Sequence, residues 1–257
     1  NKNELPGKLE IEDKWILSKL NNVIKEVCEN MDSYELGVAA GKIYDFIWTE
    51  FCDWYIELVK PRLFAKEENP KSANAAFWTL KTVLIQSLKL LHPYRPFITE
   101  EIFCTLQSEE ESIMISKWPE YKEERSFAKE ERDIEIIKEA VRGIRNIRTE
   151  MNVAPSRKAQ VFVVSENEDI IAAFTEGKLF FESLAYASEV TIQKDKTGIA
   201  DDAVSVVIAN ATLYIPFAEL VDLGQEIERL KKEEKRLTGE LARVNGMLNN
   251  EKFMSKA

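Results

Sequence analysis

The side chains best suited to chemistry are arginines. At about 100° per residue, a helix places Lys138, Arg142, Arg145 and Thr149 on one stripe, with Arg148 between that stripe and the neighbouring apolar face. Such a row of cations repels itself unless something anionic lies against it. Acids are sparse beside it between Glu139 and Glu150. Guanidinium groups are planar and always charged, so the stripe suits phosphate or base-edge recognition. The plainer alternative is a salt-bridged surface helix. Asn146 follows Arg145 directly but projects away from the stripe. A second basic run, with Arg229, Lys232, Arg236 and then Arg243 among glutamates, reads either as a binding surface or as the solvated flank of a coiled coil.

Other chemistry has little to work with. His92 stands alone in the chain and is followed by Pro93, which argues against a histidine-based triad or a His-rich metal site. Neither G-x-x-x-x-G-K-[ST] nor G-x-G-x-x-G occurs, so no phosphate-cradling loop is visible. Glu109-Glu110-Glu111 reads as a solvated acidic loop rather than a metal site. Cys28, Cys52 and Cys104 fit neither a disulfide framework nor a zinc site and read as cytosolic buried thiols, so a cytoplasmic location is expected. No catalytic and no metal-ligating residues are expected.

Composition bounds the class. The 257 residues hold 45 acids and 35 bases, a formal net charge of -10, which weighs mildly against a protein that coats nucleic acid and leaves any such role to local basic stripes. An apolar fraction of 45% supports a real core, and only 9 Gly and 8 Pro speak against disorder and turn-rich sandwiches. No apolar run approaches the roughly 20 residues of a membrane span. The start at Asn1 shows no charged-then-apolar leader and no initiator Met, so a non-secreted internal fragment is expected.

Several elements must hold the arginine stripe. From Lys14, the positions Trp15, Leu17, Leu20, Val23, Ile24 and Val27 predict one buried helical face. Asp32 or Ser33 is expected to cap a second, heavily apolar helix from Tyr34 to Leu58, which Pro61 helps to end. A third helix is predicted over 73–91 and a fourth from Pro96, with Thr99 as a plausible cap. The stripe itself lies on a predicted helix over 130–151, with Ile137, Val141, Ile144 and Met151 facing inward. Period-two stretches then predict strands over 160–164, 190–192, 204–208 and 212–215, with a helix over 168–187 and a turn at Asn210-Ala211. From Leu220, the positions Leu223, Ile227, Leu230, Leu237, Leu241, Val244 and Leu248 form a coiled-coil seam that needs a partner. The expected architecture is mainly α: a helical bundle over 1–157, a small mixed α/β unit over 158–219, and the first helix of a coiled-coil arm over 220–257.

Recognisable strings extend this reading. Asp13-Lys14-Trp15-Ile16-Leu17-Ser18-Lys19-Leu20-Asn21 resembles the opening of the anticodon-binding helical domain of class I aminoacyl-tRNA synthetases of the Val/Ile/Leu group. Tyr34-Glu35-Leu36-Gly37, the long aromatic block from Tyr44 to Leu63, Leu91 to Ile102 and Ile144 to Val153 resemble valyl-tRNA synthetases specifically. Asn250 to Ala257 resembles the turn of that family's C-terminal helical hairpin, whose return helix is missing. The C-terminal cysteine clusters of the isoleucine enzymes have no counterpart.

The resemblance implies a bacterial-type valine–tRNA ligase without its catalytic and editing domains. Neither the HIGH nor the KMSKS motif is matched, and Met254-Ser255-Lys256 is a chance partial match. The fragment is therefore expected not to activate valine. No cofactor is expected in it, because ATP and Mg belong to the catalytic domain of the parent enzyme. The partner implied is tRNA for valine, held at its anticodon stem and loop by the bundle and at its outer corner by the arm. The parent is expected to be monomeric and not to bind membranes. The residues expected to meet tRNA are Trp15, Lys138, Arg142, Arg145, Asn146 and Arg148 in the bundle, and Arg229, Lys232, Arg236 and Arg243 in the arm. Trp15 either stacks on an unstacked base or packs in the core. The rival function is a non-catalytic protein-interaction scaffold, in which the exposed seam pairs with another chain, or with a second copy as a fragment dimer.

Overall fold

The structure, a computed structural model, describes residues 6, 8–107, 109–220 and 223–248; in the last helix, side chains are described over 231–246. Helix α1 (Ile11–Asp32) opens on a capping box, in which the Glu10 N–H donates to Asp13 Oδ2 at 3.1 Å. Of the predicted inward positions Trp15, Leu17, Leu20, Ile24 and Val27 are buried, and Val23 is half-buried. At its far end Tyr34 takes a positive φ of 59° and turns the chain back. The side-chain cap expected from Asp32 or Ser33 is not made. Glu35 holds the N-cap position of the next helix without a side-chain bond.

The expected single helix over 34–58 is observed as one continuous run with three windings. Helix α2 (Leu36–Asp45) passes into a π-helical stretch (Phe46–Tyr55) and then into α3 (Ile56–Phe64). Pro61 sits inside α3 instead of ending it. A proline removes its own N–H donor and crowds the carbonyl four residues back, yet the helix runs on to Phe64. The next residue, Arg62, reaches Asp13 Oδ2 at 2.8 Å and bonds Glu12 as well, which ties this turn to α1. Tyr55 donates to Asp13 Oδ1 at 2.7 Å, which closes a buried polar knot between α1 and α3.

Helix α4 (Pro70–Leu91) starts with Pro at its first turn, and the Asn69 side chain caps Ser72 N. Helix α5 (Pro96–Leu106) likewise starts at its proline, so Thr99 lies inside the helix, not at its cap. The Thr99 hydroxyl instead donates to the Arg95 carbonyl at 2.8 Å and faces His92 Nδ1 at 2.7 Å. Two 3-10 turns (Ile113–Ile115 and Glu123–Arg125) lead into α6 (Ala128–Glu150). Ile134, Ile137, Val141 and Ile144 of α6 are buried. The helix stops where Asn152 adopts a φ of 52°, with Val153 N donating to Arg148 O at 2.8 Å, a left-handed C-terminal cap.

The α/β unit comprises β1 (Ala159–Val164), α7 (Glu168–Glu176), α8 (Lys178–Leu184), β2 (Ala187–Gln193), β3 (Val204–Ile208) and β4 (Ala211–Ile215). The sheet order is β2-β1-β4-β3, with β1 and β2 parallel and the other pairs antiparallel. The helix expected over 168–187 is split at Gly177. A Cβ there would strike Ile137 Cδ1 of α6, so close approach and the break coincide. Ala187 belongs to β2, and the turn of the β3–β4 hairpin is Ala209-Asn210, with Asn210 at a φ of 61°. Helix α9 (Phe217–Leu220) precedes α10 (Leu223–Leu248), whose Leu237, Leu241 and Val244 are exposed along the predicted seam. The string Asn250 to Ala257 lies outside the described residues. Among the described residues, no helix is long and apolar enough to cross a membrane.

One hydrophobic core runs through both the bundle and the α/β unit, from Trp15 and Leu58 through Ile137 to Phe174, Val190 and Leu213. Helix α6 joins them, with α1 against one part of its surface and β3 and α7 against another. At Gly143 a Cβ would run into Val206 Cγ1 of β3. Gly143→Leu is therefore expected to lower stability by ~1–3 kcal/mol through overpacking. A urea-unfolding midpoint equal to that of the unchanged chain would show that this contact is loose.

Candidate nucleic-acid interface

Helix α6 sets its cations in a graded series. Lys138 is 1% exposed and held between Glu50, at 2.7 Å, and Glu135, at 3.0 Å. Its ammonium lies 4.9 Å from the Trp15 ring centroid and 5.4 Å from that of Trp54. Lys138 is thus an internal tie between α6 and the π-helical stretch, not a surface cation. Trp15 itself is fully buried, which leaves no ring face for a base. The stacking expectation is corrected accordingly, and core packing describes this residue. The physical reason is the same for both: α6 crosses α1 where Trp15 points inward, so the first member of the stripe falls under the seam.

One and two turns further, the stripe emerges. Arg142 and Arg145 are exposed, and their guanidinium carbons lie 5.1 and 6.0 Å from the Trp54 ring centroid. Among the described residues neither has a carboxylate partner. Arg145 donates from Nε to the Leu184 carbonyl at the end of α8, at 2.7 Å. That bond occupies one donor and aims the rest of the fork outward. Stacking on Trp54 restricts both side chains without neutralising them. Two pre-oriented, uncompensated guanidinium groups can clamp phosphate oxygens or base edges with little further ordering.

Arg148 completes the series from beneath. It is buried, donates to the carbonyls of Ala154 and Arg157, and lies 5.1 Å from the Tyr186 ring. Burial pushes its pKa down, and no carboxylate offsets that among the described residues. Arg145, Arg148, Thr149, Val153, Pro155 and Tyr186 line a cavity of about 250 Å³ beside the exposed pair. Asn146 is exposed on the neighbouring face. In the arm, Lys232, Arg236 and Arg243 are exposed, but Arg236 is paired with Glu233 and Glu240 at 2.6 and 2.7 Å. The Arg229 side chain lies outside the described residues.

Sequence reasoning missed Trp54 and Tyr186. Trp54 sits on a helix some ninety positions away from the arginines that it orients, and no local pattern connects the two. Tyr186 gives no sequence signal either: its positive φ of 56°, which a bulky residue rarely adopts, shows only in the fold. Among the described residues, no group of three or more His, Cys, Asp and Glu is placed to hold a metal ion.

Comparison with known proteins finds two family matches. Residues 13–163 match the family described as the anticodon-binding domain of tRNA ligase, and residues 222–257 match the valyl tRNA synthetase tRNA binding arm. The valine–tRNA ligase of Clostridium perfringens is 51% identical over 245 residues, 95% of this chain and 28% of that protein. That of Clostridium tetani is 51% identical over 247 residues, 96% of this chain and again 28% of the relative. The Bacillus cereus enzyme is 37% identical over 254 residues, 99% of this chain and 28% of the relative. The chain spans little more than a quarter of the length of these curated relatives.

Proposed function

The chain belongs to the anticodon-binding domain family of tRNA ligases, and from that premise we propose that it is the tRNA-holding region of a valine–tRNA ligase, working in the cytoplasm. The observation that carries the reading is the exposed pair Arg142 and Arg145, set over Trp54 and, among the described residues, without a carboxylate partner in an acidic chain. In this reading the pair and the Arg148–Tyr186 cavity grip the anticodon stem and loop. The arm brings Lys232 and Arg243, with Arg229, to the outer corner of the tRNA. Arg236 contributes less, because Glu233 and Glu240 already engage it. Trp15 and Lys138 serve the frame. Attachment of valine, with its ATP, is assigned to the remaining length that the relatives possess.

The test is a fluorescence-anisotropy titration of the chain with valine tRNA and with a tRNA of another specificity, at several salt concentrations. Tighter binding of valine tRNA is expected, with log K falling linearly in log salt. Equal affinity for both tRNAs, or binding indifferent to salt, would overturn the reading. The exposed seam of Leu237, Leu241 and Val244 favours a second reading, pairing of two chains. A sizing column run with and without tRNA separates the two: a dimer that ignores tRNA supports the scaffold.

A further inference from the structure

A cavity of about 650 Å³ opens on the side of the bundle between α4, α5 and the segment over 107–125, and the tRNA reading makes no use of it. Its volume is that of a small-molecule site. Five cations line it: Lys81, Lys89, Lys117, Lys122 and Arg125. Only two lining carboxylates, Glu109 and Glu110, oppose them, in a chain whose acids otherwise outnumber its bases. Phe103, Ile85 and Ile115 contribute an apolar wall.

Two of the cations are poorly satisfied where they stand. Lys89 is 8% exposed, yet its ammonium has only a long contact to the Lys117 carbonyl, at 3.4 Å, and to Glu110, at 3.7 Å. It also lies 5.7 Å from the Phe103 ring. The Nε of Arg125 is buried and, among the described residues, has no hydrogen-bond partner. A buried donor without an acceptor is costly, and the partners of Lys89 are long, so both groups stand to gain from an anion. The rim is also pre-formed. Asn21 bonds the Lys122 backbone on both sides at 2.8 Å, donating to its carbonyl and accepting from its N–H, and Arg125 closes the 3-10 turn that follows.

We propose that this cavity is a second binding site, taking a nucleotide-sized phosphate ester whose phosphate meets Lys89 and Arg125 and whose ring lies against Ile85 and Ile115. Such a phosphate has two sources, a free nucleotide or one nucleotide of an RNA chain. The assignment does not depend on Arg142 and Arg145.

Isothermal titration of the whole chain with adenosine monophosphate, adenosine and inorganic pyrophosphate tests it. The monophosphate is expected to bind at least about tenfold more tightly than adenosine, as one charge-assisted contact requires. Lys89→Met and, separately, the rim pair Lys81→Met/Lys122→Met should each weaken the monophosphate by about tenfold or more. The rim pair is exposed and keeps the test decisive if the Lys89 variant fails to fold. Absence of heat with both phosphate probes at millimolar concentration, or an affinity that the rim pair leaves unchanged, overturns the proposal. Repeating the titration with saturating valine tRNA separates the sources: monophosphate binding that persists indicates a free nucleotide, and displacement indicates an RNA nucleotide. The double variant Arg142→Gln/Arg145→Gln should still bind the monophosphate normally, so failure at one site is distinguishable from failure at the other.

Discussion

Valine tRNA is expected to bind the Arg142→Gln/Arg145→Gln chain roughly 10- to 100-fold more weakly than the unchanged chain, the loss of two charge-assisted contacts to phosphate or base. Glutamine ends where the arginine Nε lies, so at position 145 it keeps a donor for the Leu184 carbonyl, and both positions are exposed, so the frame should survive. The more diagnostic quantity is the salt dependence. Each lost phosphate contact should make the slope of log K against log salt shallower by roughly 0.7–0.9. A filter-binding series at four salt concentrations reads both. If affinity and slope match those of the parent chain, the exposed pair does not touch the nucleic acid, and the central observation fails with it. Gln at Arg142 alone should show about half the change in slope, because Arg145 retains its own tether to α8.

The largest expected effect on stability lies away from that surface. Arg62→Met should cost ~3–5 kcal/mol, because it strips the cation from two buried carboxylates at once. Glu12 and Asp13 are 2% and 0% exposed, and Arg62 is the cation that bonds both. At roughly 2–4 °C per kcal/mol for a chain of this size, the melting temperature should drop by about 10 °C. The effect has a pH signature. Burial pushes the Glu12 pKa from 4.5 up to about 7, outweighing the nearby guanidinium. Between those two values the folded chain therefore holds a proton that the unfolded chain has released. Stability from this group is greatest below the lower value and is lost as pH rises through the upper one. Glu12→Gln should remove that slope, visible when unfolding midpoints of the two chains are compared from pH 5 to 8. Without Arg62 the carboxyl is harder still to ionise, so acidification from pH 8 toward 5 should rescue Arg62→Met more than it helps the parent. A melting temperature unchanged by Arg62→Met would show that the knot does not hold α1 to α3.

How far these sites could be read beforehand depended on the range of the forces involved. Short-range regularities came through. The period of α1 placed Trp15, Leu20 and Val27 inward, alternation located β3 at its observed limits, and the arginine spacing placed Arg142 and Arg145 on one face of α6. What escaped was decided by contacts between distant segments. Lys138 shares its stripe with Arg142, yet Glu50 and two tryptophans from other helices bury it. Pro61 reads as a stop, yet the helix runs past it to Arg62, which is tied to Glu12 and Asp13 of α1. The break at Gly177 depends on Ile137, forty positions earlier. The basic cavity joins Lys81 and Lys89 of α4 to Lys117, Lys122 and Arg125 of a later segment, and in the sequence each group is mixed with acids or apolar residues that point elsewhere. The boundary expected at 157/158 marks a change of period, while the core continues across it.

The wide winding over Phe46–Tyr55 makes the helix a length gauge. Each π turn accommodates an additional residue relative to the ordinary spiral while leaving the same axial distance to cover. Removing one residue from that interval would let a π turn relax to the ordinary winding, so the segment beyond keeps its phase. Arg62 would stay on its carboxylates, whereas one added residue would rotate α3 by about 100° and pull it off them. Single-residue insertions there should therefore be far less tolerated than deletions.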